Sequence, residues 1–169
     1  MPELPINLIK RLPNEKLTKL LDNMRDFLKK DKHVIEMFKE YEVPIEEIDF
    51  VPMKFEDIDV SAKTSKGVII FSYALLEDAD FIKDYSYGVH ELVHYLQQTT
   101  GTKPTKGSDD DSYLDNKNEQ EGFQHQIRYI DKMFGEEEAE NYTDDLLEYH
   151  NKSEEEKKKL KDKLMSKIK

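Results

Sequence analysis

The chain has 169 residues, 37% of them hydrophobic and 37% charged, with a formal net charge of -11 and no cysteine. That length suits one domain around a modest core; the acidic balance works against phosphate-backbone binding, and the lack of thiols excludes disulfides and thiolate metal sites, as fits a reducing compartment. No run approaches the roughly 20 apolar residues of a membrane span and no apolar h-region follows Met1-Pro2-Glu3-Leu4-Pro5, so the expectation is a soluble, cytoplasmic protein that binds neither nucleic acid nor membrane.

Residues 1–13, with Pro2, Pro5 and Pro13, read as an extended arm. Leu17, Leu20, Leu21, Met24, Phe27 and Leu28 recur at three- and four-residue intervals and predict a helix over 14–30. A second helix over 32–42 carries Val34, Ile35, Met37, Phe38 and Tyr41. His33 suits a cap or surface position there, and Pro44 ends the helix by biasing Val43 away from helical backbone. Strands follow. Ile48–Met53 is a weak one, with Pro52 marking an edge or an end, and Ile58–Ala62 alternates apolar and polar residues. Lys63–Gly67 reads as a turn, and Val68–Ser72 is the strongest strand, β-branched and aromatic. Residues 57–72 are thus predicted as a hairpin in a small, mainly antiparallel sheet. If one edge of 68–72 is free, an extended peptide can add to it; otherwise the strand is internal.

The stretch Gly88-Val89-His90-Glu91-Leu92-Val93-His94 holds the pattern His-Glu-x-x-His. Phe81, Ile82, Tyr85, Val89, Leu92, Val93 and Leu96 give it one apolar helical stripe, with Asp78 or Asp80 as a start and Gly101 as an end. On a helix His90 and His94 lie one turn apart on one face, so both imidazoles can reach one cation; zinc takes such nitrogens at about 2.0–2.1 Å. Glu91 is rotated by about 100° from His90, beside the metal rather than on it, where a carboxylate can take a proton from water activated by the metal. A catalytic zinc normally has three protein ligands, so a third must come from elsewhere.

Thr99–Ser112 is a polar loop in which Asp109-Asp110-Asp111 lacks the rest of a calcium-binding pattern. A helix over 115–134 follows, with Phe123, Ile127, Ile130 and Met133 or Phe134 on its stripe. Glu119 lies one turn before Phe123 on that buried stripe, and a buried carboxylate needs a partner; it is the first choice as third ligand. Glu121 is the runner-up and His125 the third, with a surface pairing to Glu121 as the plainer role for His125. Residues 136–169 read as two helices, the first packing through Ala139, Tyr142, Leu146, Leu147 and Tyr149 with His150 exposed, the second carrying Leu160, Leu164, Met165 and Ile168 and Glu-to-Lys pairs that suit an exposed helix, either docked on the body or contacting a partner.

His90-Glu91-x-x-His94 followed by Asn118-Glu119-x-x-Gly122 resembles the gluzincins, the thermolysin-like zinc metallopeptidases, over roughly residues 57–134. In that clan the second helix carries Asn-Glu-x-x-small, and its glutamate is the third ligand. The resemblance implies one zinc ion held by His90, His94 and Glu119, with Glu91 as the catalytic carboxylate. The chain departs from the pattern at Phe123, where thermolysin-like members often carry an aspartate that partners a zinc histidine. Asp115, Glu121 or a backbone carbonyl would have to take that role. The donor that steadies the oxyanion is sought among Tyr113, Tyr129 and His125, with Tyr113 first because it lies near the loop.

The expected protein is therefore a single α+β, zincin-like domain over 1–169: an N-terminal helical region over 1–45, a sheet with two metal-site helices over 46–134, and C-terminal helices over 135–169. The expected activity is zinc-dependent hydrolysis of a peptide or protein substrate. The alternative is a zincin-like module that binds proteins without catalysis.

Overall fold

Leu17, Leu21, Met24 and Leu28 form the buried stripe of α1 (Asn14–Lys29), spaced as one face of a helix requires. In this computed structural model the described residues are 14–77, 84–101 and 113–168. The predicted arm over 1–13, the cap at Asp78 or Asp80, Phe81 and Ile82, and Asp109–Asp111 lie outside them. The chain divides into two compact units, Met1–Thr102 and Lys103–Lys169. The fold is α+β, with a three-stranded sheet in the first unit. No helix among the described residues is long and apolar enough to cross a membrane.

In the first unit, Asp31 caps α2 (Lys32–Glu40) by accepting the backbone N–H groups of His33 and Val34. The helix stops before Pro44 acts on it. Glu42 takes a left-handed φ of 58°, and the N–H groups of Glu42 and Val43 close on the carbonyls of Lys39 and Phe38, a Schellman ending. Pro44 instead begins a 3-10 turn, Ile45–Phe50. The weak strand predicted over 48–53 is therefore corrected: Ile48 is buried but Phe50 faces solvent, a mismatch with strand alternation that a three-residue turn accommodates. Arg25 ties this turn to α1 by donating to the carbonyl of Val51 at 2.8 Å.

The sheet comprises β1 (Met53–Glu56), β2 (Ala62–Ser65) and β3 (Val68–Ser72), in the order β1-β3-β2. It is mixed rather than mainly antiparallel: β1 runs parallel to β3, with Phe55 beside Phe71, while β2 runs antiparallel to it, with Ser65 beside Val68. The hairpin is real but shorter than expected, since Ile58–Ser61 lies outside the strands and β2 begins at Ala62. Lys66 and Gly67 both have positive φ, 51° and 77°, the two-residue turn whose twist matches its strands. Paired on both sides, β3 has no free edge; Ile69, Ile70 and Phe71 are buried in succession, as expected of a strand covered on both faces. Another 3-10 turn, Tyr73–Leu76, follows β3.

Helix α3 (Tyr85–Thr99) packs against β2 and β3 and against α2. Thr100 caps it and Gly101, at φ 87°, ends it as predicted. Gly88 is needed for space. A Cβ there would stand 2.9 Å from Met24 Sδ and 3.6 Å from Leu28 Cδ1, both on residues with no exposure. Gly88→Val is expected to destabilise the first unit by about 1–3 kcal/mol through overpacking, read as a lower urea midpoint with unchanged slope.

The first element among the described residues of the second unit is a 3-10 turn, Tyr113–Asp115, held by Gln120 Nε2 donating to the carbonyl of Leu114 at 2.8 Å. Asn116 caps α4 (Lys117–Phe134), accepting the N–H groups of Asn118 and Glu119. Helices α5 (Glu136–Tyr149) and α6 (Glu154–Leu164) complete the unit, the latter started by a Ser153–Glu156 capping box. Phe123, Ile127, Ile130, Ala139, Leu147, Leu160 and Leu164 share its core with Leu114. Two expectations change here. Tyr149 is exposed rather than packed. His150 is half-buried, stacked on Tyr113 with centroids 5.3 Å apart, and burial together with the Lys152 charge holds it below the usual histidine range.

Candidate metal centre

His90, Glu91 and His94 come from the middle of α3, where the helix is buried without a break from Gly88 to His94. Their exposures are 4%, 6% and 5%. Two imidazoles and a carboxylate so placed are costly to bury unless they are bonded, which sets them apart from a pair of surface histidines on an amphipathic helix. The rings face one point. His90 Nε2 and His94 Nε2 are 3.0 Å apart, with the ring planes inclined at 69°. Two nitrogens on one tetrahedral zinc, each at 2.0–2.1 Å, stand about 3.3 Å apart, so a small opening of the pair suits a shared ion. Imidazole nitrogens with a carboxylate are donors that zinc accepts.

The other side of His94 is fixed within the same helix. Its Nδ1 lies 2.9 Å from Gln97 Oε1, and Gln97 is itself buried. The partner role that the resemblance leaves without an aspartate has a candidate on α3 itself, Gln97. Of the residues expected to fill it, Asp115 is exposed and pairs with Lys152 at 3.7 Å, and Glu121 is half-buried on α4.

Glu91 is held from the sheet. Thr64 Oγ1, on β2, donates to Glu91 Oε1 at 2.8 Å and lies 3.1 Å from the Glu91 carbonyl. Gln98 fastens the same helix to the same hairpin. It accepts the Gly67 N–H at 2.9 Å and donates to the Thr64 carbonyl at 3.2 Å. These bonds set the rotation of α3 over β2 and leave the second carboxylate oxygen of Glu91 outside the Thr64 bond. Tyr87, one turn before Glu91, is hydrogen-bonded to Ser61; burial holds its phenol above the usual range, against the effect of that bond.

The remaining candidates lie in the second unit. Glu119 occupies the first turn of α4 and is buried, at 4% exposure. Its place at a helix N-terminus favours a negative charge. Glu121 is half-buried, and His125, one turn on, is buried rather than on the surface, contrary to the role expected for it. Tyr113 packs edge-on against Phe123, centroids 6.0 Å apart, and against His150. Tyr129 is buried in α4.

Sequence reasoning finds the two histidines and the glutamate between them from spacing alone. It misses Thr64 and Gln97. Thr64 is distant in sequence, and a glutamine three residues after a histidine is a common occurrence with no periodic signal. Compared with models of known protein families, with curated proteins and with solved structures, the chain shows no match.

Proposed function

We propose that this chain is a zincin-like, zinc-dependent peptidase in which His90, His94 and Glu119 hold one ion and Glu91 is the general base. The observation that carries the reading is the convergence of two buried Nε2 atoms, 3.0 Å apart, on the helix that also bears a buried, hydrogen-bonded glutamate. Zinc bound there supplies Lewis acidity, polarising a carbonyl and bringing the pKa of water down to about 7.

The chain's own groups do the rest. Glu91, held through one oxygen by Thr64, accepts the proton of the attacking water on the other and returns it to the leaving amine. Tyr113 is the proposed donor to the developing oxyanion. An extended peptide is proposed to lie along β2. Among the described residues β2 is paired on one side only, by β3, and it carries Thr64. Main-chain bonds along such an edge give affinity without demanding a particular sequence. Of the two alternatives left open for 68–72, the strand is the internal one, so the peptide edge is proposed on β2 instead.

The test is metal removal and return. The purified chain, loaded with one equivalent of zinc, is expected to cut an unfolded protein or a mixed peptide library. Chelation is expected to stop the cutting and stoichiometric zinc to restore it. Full zinc occupancy with no peptide cut would favour the alternative, a zincin-like module that binds proteins without catalysis. Failure to take up zinc would overturn both readings.

A further inference from the structure

We propose that Gln97 is a positioning residue that keeps His94 in its Nδ1–H tautomer and so presents the Nε2 lone pair to a metal ion. Gln97 Oε1 is an acceptor with no proton of its own, and it lies 2.9 Å from His94 Nδ1. With that oxygen facing the ring, the bond is made by His94 Nδ1–H, and His90 Nε2–H then donates to the His94 Nε2 lone pair 3.0 Å away. A neutral imidazole with its proton on Nδ1 has only a lone pair on Nε2. Imidazoles in water favour the opposite tautomer, so a fixed acceptor is needed to hold this one. Gln97 is 2% exposed and His94 5%, which keeps bulk water from competing for Nδ1.

The two residues are three apart on α3, so the helix itself sets their geometry. The Nε2 lone pair of His94 points toward His90 Nε2, 3.0 Å away, where a shared ion would sit. Accepting the Nδ1 proton also makes the ring a better electron donor. An amide does this less strongly than the carboxylate usual at such positions, because the bond lacks charge assistance.

The claim about affinity rests on the zinc reading above; the claim about the tautomer does not. Long-range proton–nitrogen NMR at about pH 8, above the histidine range, reads the His94 tautomer directly. A competition titration with zinc alone reads affinity. The wild-type chain is expected to show His94 protonated at Nδ1. Gln97→Met, close in volume and unable to accept, is expected to move the proton toward Nε2 and to weaken zinc by about 10–100-fold. Gln97→Glu, which keeps an acceptor in place, is expected to retain both the tautomer and tight binding.

An unchanged His94 tautomer in Gln97→Met would overturn the proposal, whether or not zinc affinity fell, since a fall without the proton shift marks a packing defect. Loss of the Nδ1–H form in Gln97→Glu would overturn it as well. A wild-type chain that takes no zinc would remove the peptidase reading, while the NMR comparison would still decide what Gln97 does to His94.

Discussion

Glu91→Gln is expected to keep one equivalent of zinc and to lose peptide hydrolysis by about 10²–10⁴-fold, the usual contribution of a positioned general base. The substitution removes a basic oxygen and little else. Glutamine has the same length, and its amide oxygen can still accept the Thr64 hydroxyl that reaches Glu91 Oε1 at 2.8 Å. The bonds of Gln98 to Gly67 and Thr64 are separate from it, so α3 should stay docked on the hairpin. The thermal midpoint is therefore expected to move little while kcat collapses. Metal content, melting and initial rates on one preparation give the answer. A variant that binds zinc, melts normally and still cuts would show that another group takes the water proton. A variant that lost zinc as well would show that Glu91 supports the metal, which the geometry of α3 argues against.

The elements legible in the sequence are those governed by local periodicity. Leu17, Leu21, Met24 and Leu28 announce α1, and the stripe from Tyr85 to Leu96 announces α3, because a helix buries residues at intervals set by its own pitch. The i,i+4 histidines are legible for the same reason. The sheet is harder to read because its pairing is nonlocal. Nothing near Met53 signals that β1 will lie parallel to β3, and the run from Ile58 to Ala62 alternates like a strand although only its last residue enters β2. At Ile48–Phe50 the composition favours a strand, but Pro44 sets up a 3-10 turn that leaves Phe50 in solvent. His125 passes for a surface residue in the sequence because its helix is buried over a wider arc than the Phe123–Ile127–Ile130 stripe implies; Gln126 and Tyr129 are buried too. The polar contacts around the candidate site are illegible for a related reason. Thr64 meets Glu91 across 27 positions of sequence, and Gln97 looks like any polar residue on a helix until its oxygen is found against His94.

The identity of the third ligand carries the other large effect. Glu119→Gln is expected to weaken zinc by more than about 100-fold, beyond the 10–100-fold typical of losing a partner one step removed from the metal, whereas Glu121→Gln should leave affinity little changed. Two histidines alone leave the ion short of its usual protein donors, since catalytic zinc sites keep three protein ligands. A neutral amide is a poor replacement for the anionic one. Glu119 has the features a ligand carboxylate needs. It is buried, and it sits in the first turn of α4, where Asn116 holds the backbone N–H groups and the helix dipole favours an anion. Glu121 is half-buried and sits two residues on, about 200° around the helix. The same dipole argument bounds the structural cost. Removing a charge from an N-terminal turn costs about 0.3–1 kcal/mol, too little to unfold α4, so a large fall in zinc affinity with a nearly unchanged melting curve separates coordination from stability. Reversal of the pattern, with Glu121→Gln losing the ion and Glu119→Gln keeping it, would make Glu121 the ligand and require a different account of why Glu119 is buried.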